Sequence, residues 1–114
     1  MTLVYKILST EEWRKAEAAG AFAGSTVDRA DGYIHFSTAE QAPETAAKWF
    51  HGRSDLTLVA VDADALAPHL VWEPSRGGAL FPHLYGPLPL GAVVWSRPLP
   101  LGPDGRHLFG DLEG

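Results

Sequence analysis

Asp31, His35, Ser37, Glu73, Arg76, His83 and Tyr85 are the residues whose chemistry the surrounding pattern does not use up. They fall into two tracts, residues 31–38 and residues 72–86. In Tyr33-Ile34-His35-Phe36 a period of two sets Ile34 and Phe36 on one face and Tyr33 with His35 on the other. A histidine closing a strand just ahead of a capped helix stands where backbone N–H groups converge, a natural place for a polar or anionic ligand group. Each residue also has a plain structural duty open to it. Asp31 precedes Gly32 as a turn former, Ser37 can cap a helix, Glu73 can end a strand beside Arg76, and Tyr85 can be core. The two tracts share no structural purpose, so His35 and His83 are expected to meet on one concavity.

Other chemistries find less support. A Ser-His-Asp hydrolase would use Ser37 with His35 or His83 as base, but no Gly-x-Ser-x-Gly elbow is present. The histidines at 35, 51, 69, 83 and 107 form no close pair, so a metal site would need His35, His83 and Glu73 to meet in space, and no metal is expected. No Walker loop or Gly-x-Gly-x-x-Gly fingerprint occurs, although Arg76-Gly77-Gly78 could cradle an anion through its backbone. Zero cysteines exclude disulfides, thiolate metal sites and cysteine nucleophiles. A net charge of -5, with basic residues scattered apart from Arg14-Lys15, gives no footprint for gripping nucleic acid. No apolar run nears the ~20 residues of a membrane helix. The opening residues lack a basic and apolar leader, so no membrane partner and a cytoplasmic location are expected.

The elements that must hold these residues follow from the pattern. Residues 3–8 read as a strand broken only by Lys6, and Ser9-Thr10-Glu11-Glu12 is a capping box opening a helix over 10–19, closed by Gly20. Residues 20–32, with three glycines, read as a loop. Residues 33–36 are a second strand, followed by a helical turn at 38–42 and a helix from Pro43 to about Phe50. Residues 56–61 form a continuous apolar strand, central in a sheet, and 62–66 a helical turn. Residues 71–73 make a brief strand before Pro74. Residues 80–90, with Pro82, Pro87 and Pro89, read as an ordered loop or broken edge segment. Residues 92–97 are a final strand stopped by Pro98, and residues 106–109 could pair weakly. With 114 residues and no linker or repeat, the chain reads as a single α+β domain: a small bent or split, mostly antiparallel sheet with two helices.

Asp31-Gly32-Tyr33-Ile34-His35-Phe36-Ser37-Thr38-Ala39-Glu40-Gln41, Trp72-Glu73-Pro74 and Phe81-Pro82-His83-Leu84-Tyr85-Gly86-Pro87-Leu88 together resemble the signatures of a small bacterial family, domain of unknown function 952. The resemblance runs from Tyr5 to about Leu99 and implies an ADP-ribosyltransferase-like fold without an established activity. ADP-ribosyltransferases hold a ribose of NAD with a His-Gly-Ser/Thr motif. His35 and Ser37 match it, with Phe36 in the place of glycine. Their stacking tyrosine and catalytic glutamate are matched in chemistry, not in chain order, by Tyr85 and Glu73.

The leading expectation is a pocket for a small polar or nucleotide-like ligand, lined by His35, Ser37, Glu73, Arg76, His83 and Tyr85. The alternative is an NAD-dependent ADP-ribosyl transfer or NAD-processing enzyme with Glu73 catalytic. A third class is a protein-interaction module using Trp49, Trp72 or Trp95.

Overall fold

The computed structural model describes residues 2–112, with the Arg76 side chain outside that description. Strand β1 (Leu3–Ser9) leads into α1 (Thr10–Ala19), followed by β2 (Ala21–Phe22), α2 (Thr26–Asp31) and β3 (Ile34–His35). Then come α3 (Ala42–Trp49), β4 (Leu56–Asp62), α4 (Ala63–Leu66), β5 (Leu70–Pro74) and β6 (Leu80–Leu84). Short β7 (Leu88–Pro89) and β8 (Val93–Leu99) complete the chain. All pairings are antiparallel, in a sheet ordered β1-β4-β8, a second ordered β3-β6-β5 and a two-stranded ribbon of β2 with β7. The α+β class and the split antiparallel sheet are therefore as read from the sequence.

The first sheet is the scaffold. Alternation along β1 sends Val4 and Leu8 into one apolar cluster with Trp13, Phe22, Ile34 and Leu84, and Tyr5 and Ile7 into another with Ala42, Ala46 and Leu58. Both faces are covered, which is why β4 is apolar from Leu58 to Val61 and lies between its neighbours. Lys6 shares the face of Val4 and Leu8 and is buried. The Ser9 box opens α1, with its hydroxyl accepting from the Glu12 N–H at 3.1 Å, and Gly20 ends the helix at φ 87°.

Some expectations need correction. Residues 20–32 are not a loop, because they contain β2 and the six-residue α2. Its glycines lie outside the helix, and Gly32 (φ 90°) ends it in the left-handed conformation that glycine adopts freely. With α2 and α4 the domain has four helices among its described residues, not two. Residues 80–84 are not an edge segment, because β6 is the middle strand of its sheet with Pro82 inside it. The Pro82 carbonyl accepts from the Phe36 N–H at 3.0 Å, so the missing donor faces the end of β3, which is only two residues long. Pro98 likewise lies within β8, where an edge strand tolerates it.

A backbone bridge links the two larger sheets. Ser37 makes a bridge with Tyr5, its N–H donating to the Tyr5 carbonyl at 2.8 Å and its carbonyl accepting from the Tyr5 N–H at 2.7 Å. Thr38, not Ser37, caps the turn before α3. Its Oγ1 accepts from the Gln41 N–H at 3.2 Å, and Gln41 Oε1 accepts from the Thr38 N–H at 3.1 Å. The Ser37 hydroxyl instead pairs with Thr45 Oγ1 at 2.9 Å. Pro43 sits in the first turn of α3, where its lack of an N–H costs nothing.

Candidate functional site

A cavity of about 650 Å³ runs alongside the edge strand β1, and consecutive residues Tyr5 to Leu8 all line it. Its other walls come from α2 (Val27, Asp28, Asp31), Tyr33 and His35, the Ser37–Thr45 pair, the end of α3 (Trp49, Phe50), and Phe81 with His83 of β6.

The floor is built around Asp28. Ser25 and Asp28 make a reciprocal capping box, with Ser25 N–H donating to Asp28 Oδ2 at 2.9 Å and Asp28 N–H donating to Ser25 Oγ at 3.3 Å. The same carboxylate accepts from Lys6 Nζ at 3.0 Å and from His35 twice, at the backbone N–H (3.2 Å) and at Nδ1 (2.6 Å). One buried side chain thus ties β1, α2 and β3 together. Burial pushes the Asp28 carboxyl upward, but the His35 bond, the Lys6 charge and the Ser25 N–H outweigh it and hold it well below the carboxylate range. Burial also pulls the Lys6 ammonium down, against the attraction of Asp28.

The side wall is aromatic. His35 and His83 are cross-strand partners of β3 and β6, their ring centroids 5.5 Å apart and edge to face. Tyr33 stacks on His83 at 4.1 Å and leans on His35 at 4.7 Å and Tyr85 at 5.3 Å. His35 Nε2 faces Asp31 Oδ2 at 2.9 Å, so both of its ring nitrogens meet carboxylates. His83 Nδ1 lies 2.7 Å from Glu73 Oε1, which also accepts from the Tyr85 hydroxyl at 2.8 Å. Those bonds from His83 and Tyr85 hold the Glu73 carboxyl below its ordinary value, while the Tyr85 phenol is pushed up. Desolvation, with the charges of Asp31 and Glu73, raises the Tyr33 phenol.

Of the residues singled out in the sequence, His35, His83, Ser37 and Asp31 line this one cavity. Glu73 and Tyr85 stand behind His83 rather than in the lining. Arg76 lies on a 3-10 turn (Arg76–Gly78) next to the lining residue Ser75, with its side chain outside the described residues. Among the described residues no group of His, Asp and Glu is arranged to hold a metal, and no helix is long and apolar enough to cross a membrane. Lys6, Asp28 and Tyr33 escaped selection. The available signals were a lysine inside an apolar strand, a Ser25-to-Asp28 capping spacing, and a tyrosine on the same strand face as His35.

The same fold is found in solved structures of protein CC0527 from Caulobacter crescentus. Its crystal structure is 56% identical over 94% of both chains with a TM-score of 0.91, and that of a double mutant gives 54% and 0.91 over the same shares. Its solution structure is 57% identical, covers 93% of this chain and 91% of the other, and has a TM-score of 0.84. No curated protein matches. The signatures around His35 and His83 fall within residues 7–96, which match a family model, so the chain belongs to the family described as protein of unknown function, DUF952.

Proposed function

We propose that the domain binds a small polar ligand with a flat ring, nucleotide-like in its base and sugar, in the cavity beside β1. What carries this reading is the convergence of Tyr33, His35 and His83, from two strands and a turn, on one cavity of about 650 Å³. That volume is in the ~300–1,000 Å³ range of small-molecule sites, and its lining sets aromatic side chains beside polar ones that can fix a ligand's orientation. The basic side chains in the lining support recognition of the ring and sugar more than of phosphate. Lys6 is bound to Asp28, His35 lies between Asp28 and Asp31, and Arg53 rests over the Phe50 ring at 5.2 Å.

NAD-dependent ADP-ribosyl transfer is the narrower alternative, suggested by the family resemblance. It needs a carboxylate on the reacting ribose, and Glu73 Oε1 is already engaged by His83 and Tyr85. Binding is therefore the preferred reading, with NAD as one candidate ligand. Calorimetric titration with adenosine, AMP, ADP-ribose and NAD tests it. The expected result is saturable heat from at least one of them, weakened at least severalfold in His35→Ala. No heat from any at millimolar ligand defeats the nucleotide-like reading, and unchanged binding in His35→Ala moves the site elsewhere.

A further inference from the structure

His35 and His83 are neighbours across one strand pair, yet their ring nitrogens are used differently. An ionised carboxylate only accepts hydrogen bonds. His35 meets one at each nitrogen, Asp28 Oδ1 at 2.6 Å and Asp31 Oδ2 at 2.9 Å, so neither has a lone pair facing the cavity. His83 meets one at Nδ1 alone, Glu73 Oε1 at 2.7 Å. Its Nε2 has no partner among the described residues, nor is it among the polar atoms sealed away unpaired, so it opens onto accessible space. The His83 residue is 4% exposed, lines the cavity and is held flat by the stacked Tyr33 ring. A nearly buried imidazole with one nitrogen fixed by a carboxylate and the other open has the geometry of a general base.

We propose that Glu73 and His83 form a general-base dyad whose Nε2 takes a proton from an O–H or N–H group held in the cavity, with His35 a fixed donor beside it. The inference rests on the cavity being a ligand site. In the step, the hydrogen on the ligand oxygen or nitrogen passes to Nε2, and its bonding pair stays on the donor atom. The ring becomes a cation while Nδ1 keeps its hydrogen on Glu73, whose negative charge offsets it. Glu73 is a positioning residue, selecting the tautomer that leaves the lone pair on Nε2. The substrate class is a small polar molecule with an acidifiable hydroxyl or amine.

Diethyl pyrocarbonate, which acylates imidazole nitrogens bearing a free lone pair, tests the dyad with no ligand present, read by peptide mass spectrometry on the full chain. Accessibility alone predicts that His35, with a side chain 33% exposed, reacts before His83. The proposal predicts the reverse order. It also predicts that Asp31→Ala makes His35 reactive. Glu73→Gln should slow His83 about tenfold, the scale of losing one charge-assisted hydrogen bond, at an unchanged melting temperature. Lys15→Ala, at an exposed position on α1 outside the cavity lining, should leave the His83 rate within about twofold. His35 reacting as fast as His83 in the unaltered protein overturns the proposal, as does a His83 rate indifferent to Glu73→Gln. The first comparison needs no variant to fold. Either failure leaves ligand binding untouched, since the reagent reads the ring and calorimetry reads the cavity.

Discussion

The β1-β4-β8 sheet and the β3-β6-β5 sheet have three antiparallel strands each, and there the likeness ends. The first has seven-residue strands, with β4 buried on both faces between two apolar clusters. The second has strands of two to five residues, a proline in its middle strand and a pair of histidines in register across it. Apolar burial is non-directional and tolerates long regular pairing, so the first sheet carries stability. Hydrogen-bonded polar groups need fixed directions, and the short second sheet supplies them by holding the rings of Tyr33, His35 and His83 against one another. Substitutions should therefore divide into those that lower stability and those that change only the cavity.

The contact where the two regions depend on each other should give the largest effect. Asp28→Ala removes the carboxylate serving both Lys6 and His35 and leaves Lys6 buried without its partner. A cost of about 3–5 kcal/mol in urea unfolding is expected. A loss below about 1 kcal/mol would mean the sheets hold together without this link. Leu58→Ala, in the middle of β4 at 0% exposure, should cost about 2–5 kcal/mol and leave the cavity residues in place. By contrast Tyr85→Phe should not move the urea midpoint, and an equal loss in both variants would erase the distinction between the sheets.

Acid provides a milder test. The Asp28 carboxyl is lowered in the folded chain, since the His35 bond, the Lys6 charge and the Ser25 N–H overcome the upward push of burial. Such a group stabilises fully above the unfolded carboxylate value of about 4, and its contribution is lost as pH falls from there toward the folded value. Urea resistance of the unaltered protein should therefore fall between about pH 5 and pH 3 more steeply than that of Asp28→Asn. Parallel profiles would contradict the assignment. A smaller loss belongs beside the Ser37–Tyr5 bridge: Thr38→Ala should lower stability by about 1 kcal/mol through loss of the cap. A Thr38→Ala melt identical to the unaltered protein would return the cap to Ser37.

The regular sheet was far easier to read from sequence than the polar one. β1, α1 with its Ser9–Glu12 box, and β4 all carry local patterns strong enough to stand alone. α2 does not, because a six-residue helix flanked by Gly24 and Gly32 resembles a loop until Asp28 is seen to bind Lys6 and His35. Lys6 and Asp28 are 22 positions apart, so no local pattern announces their pairing. β6 was misread because Pro82 normally excludes a middle strand, and only the early end of β3 removes the conflict. The pairing of His35 with His83 was legible because their polar, aromatic surroundings had no local explanation.

The five histidines at 35, 51, 69, 83 and 107 make the central claim directly measurable, because only His35 and His83 line the cavity. Their ring-proton resonances can be followed by NMR while adenosine, and then NAD, is added to the intact protein. The His83 and Tyr33 rings should shift first and saturate together, with His51, His69 and His107 unmoved. Shifts confined to those three, or no saturable shift at any ring at millimolar ligand, would contradict the claim.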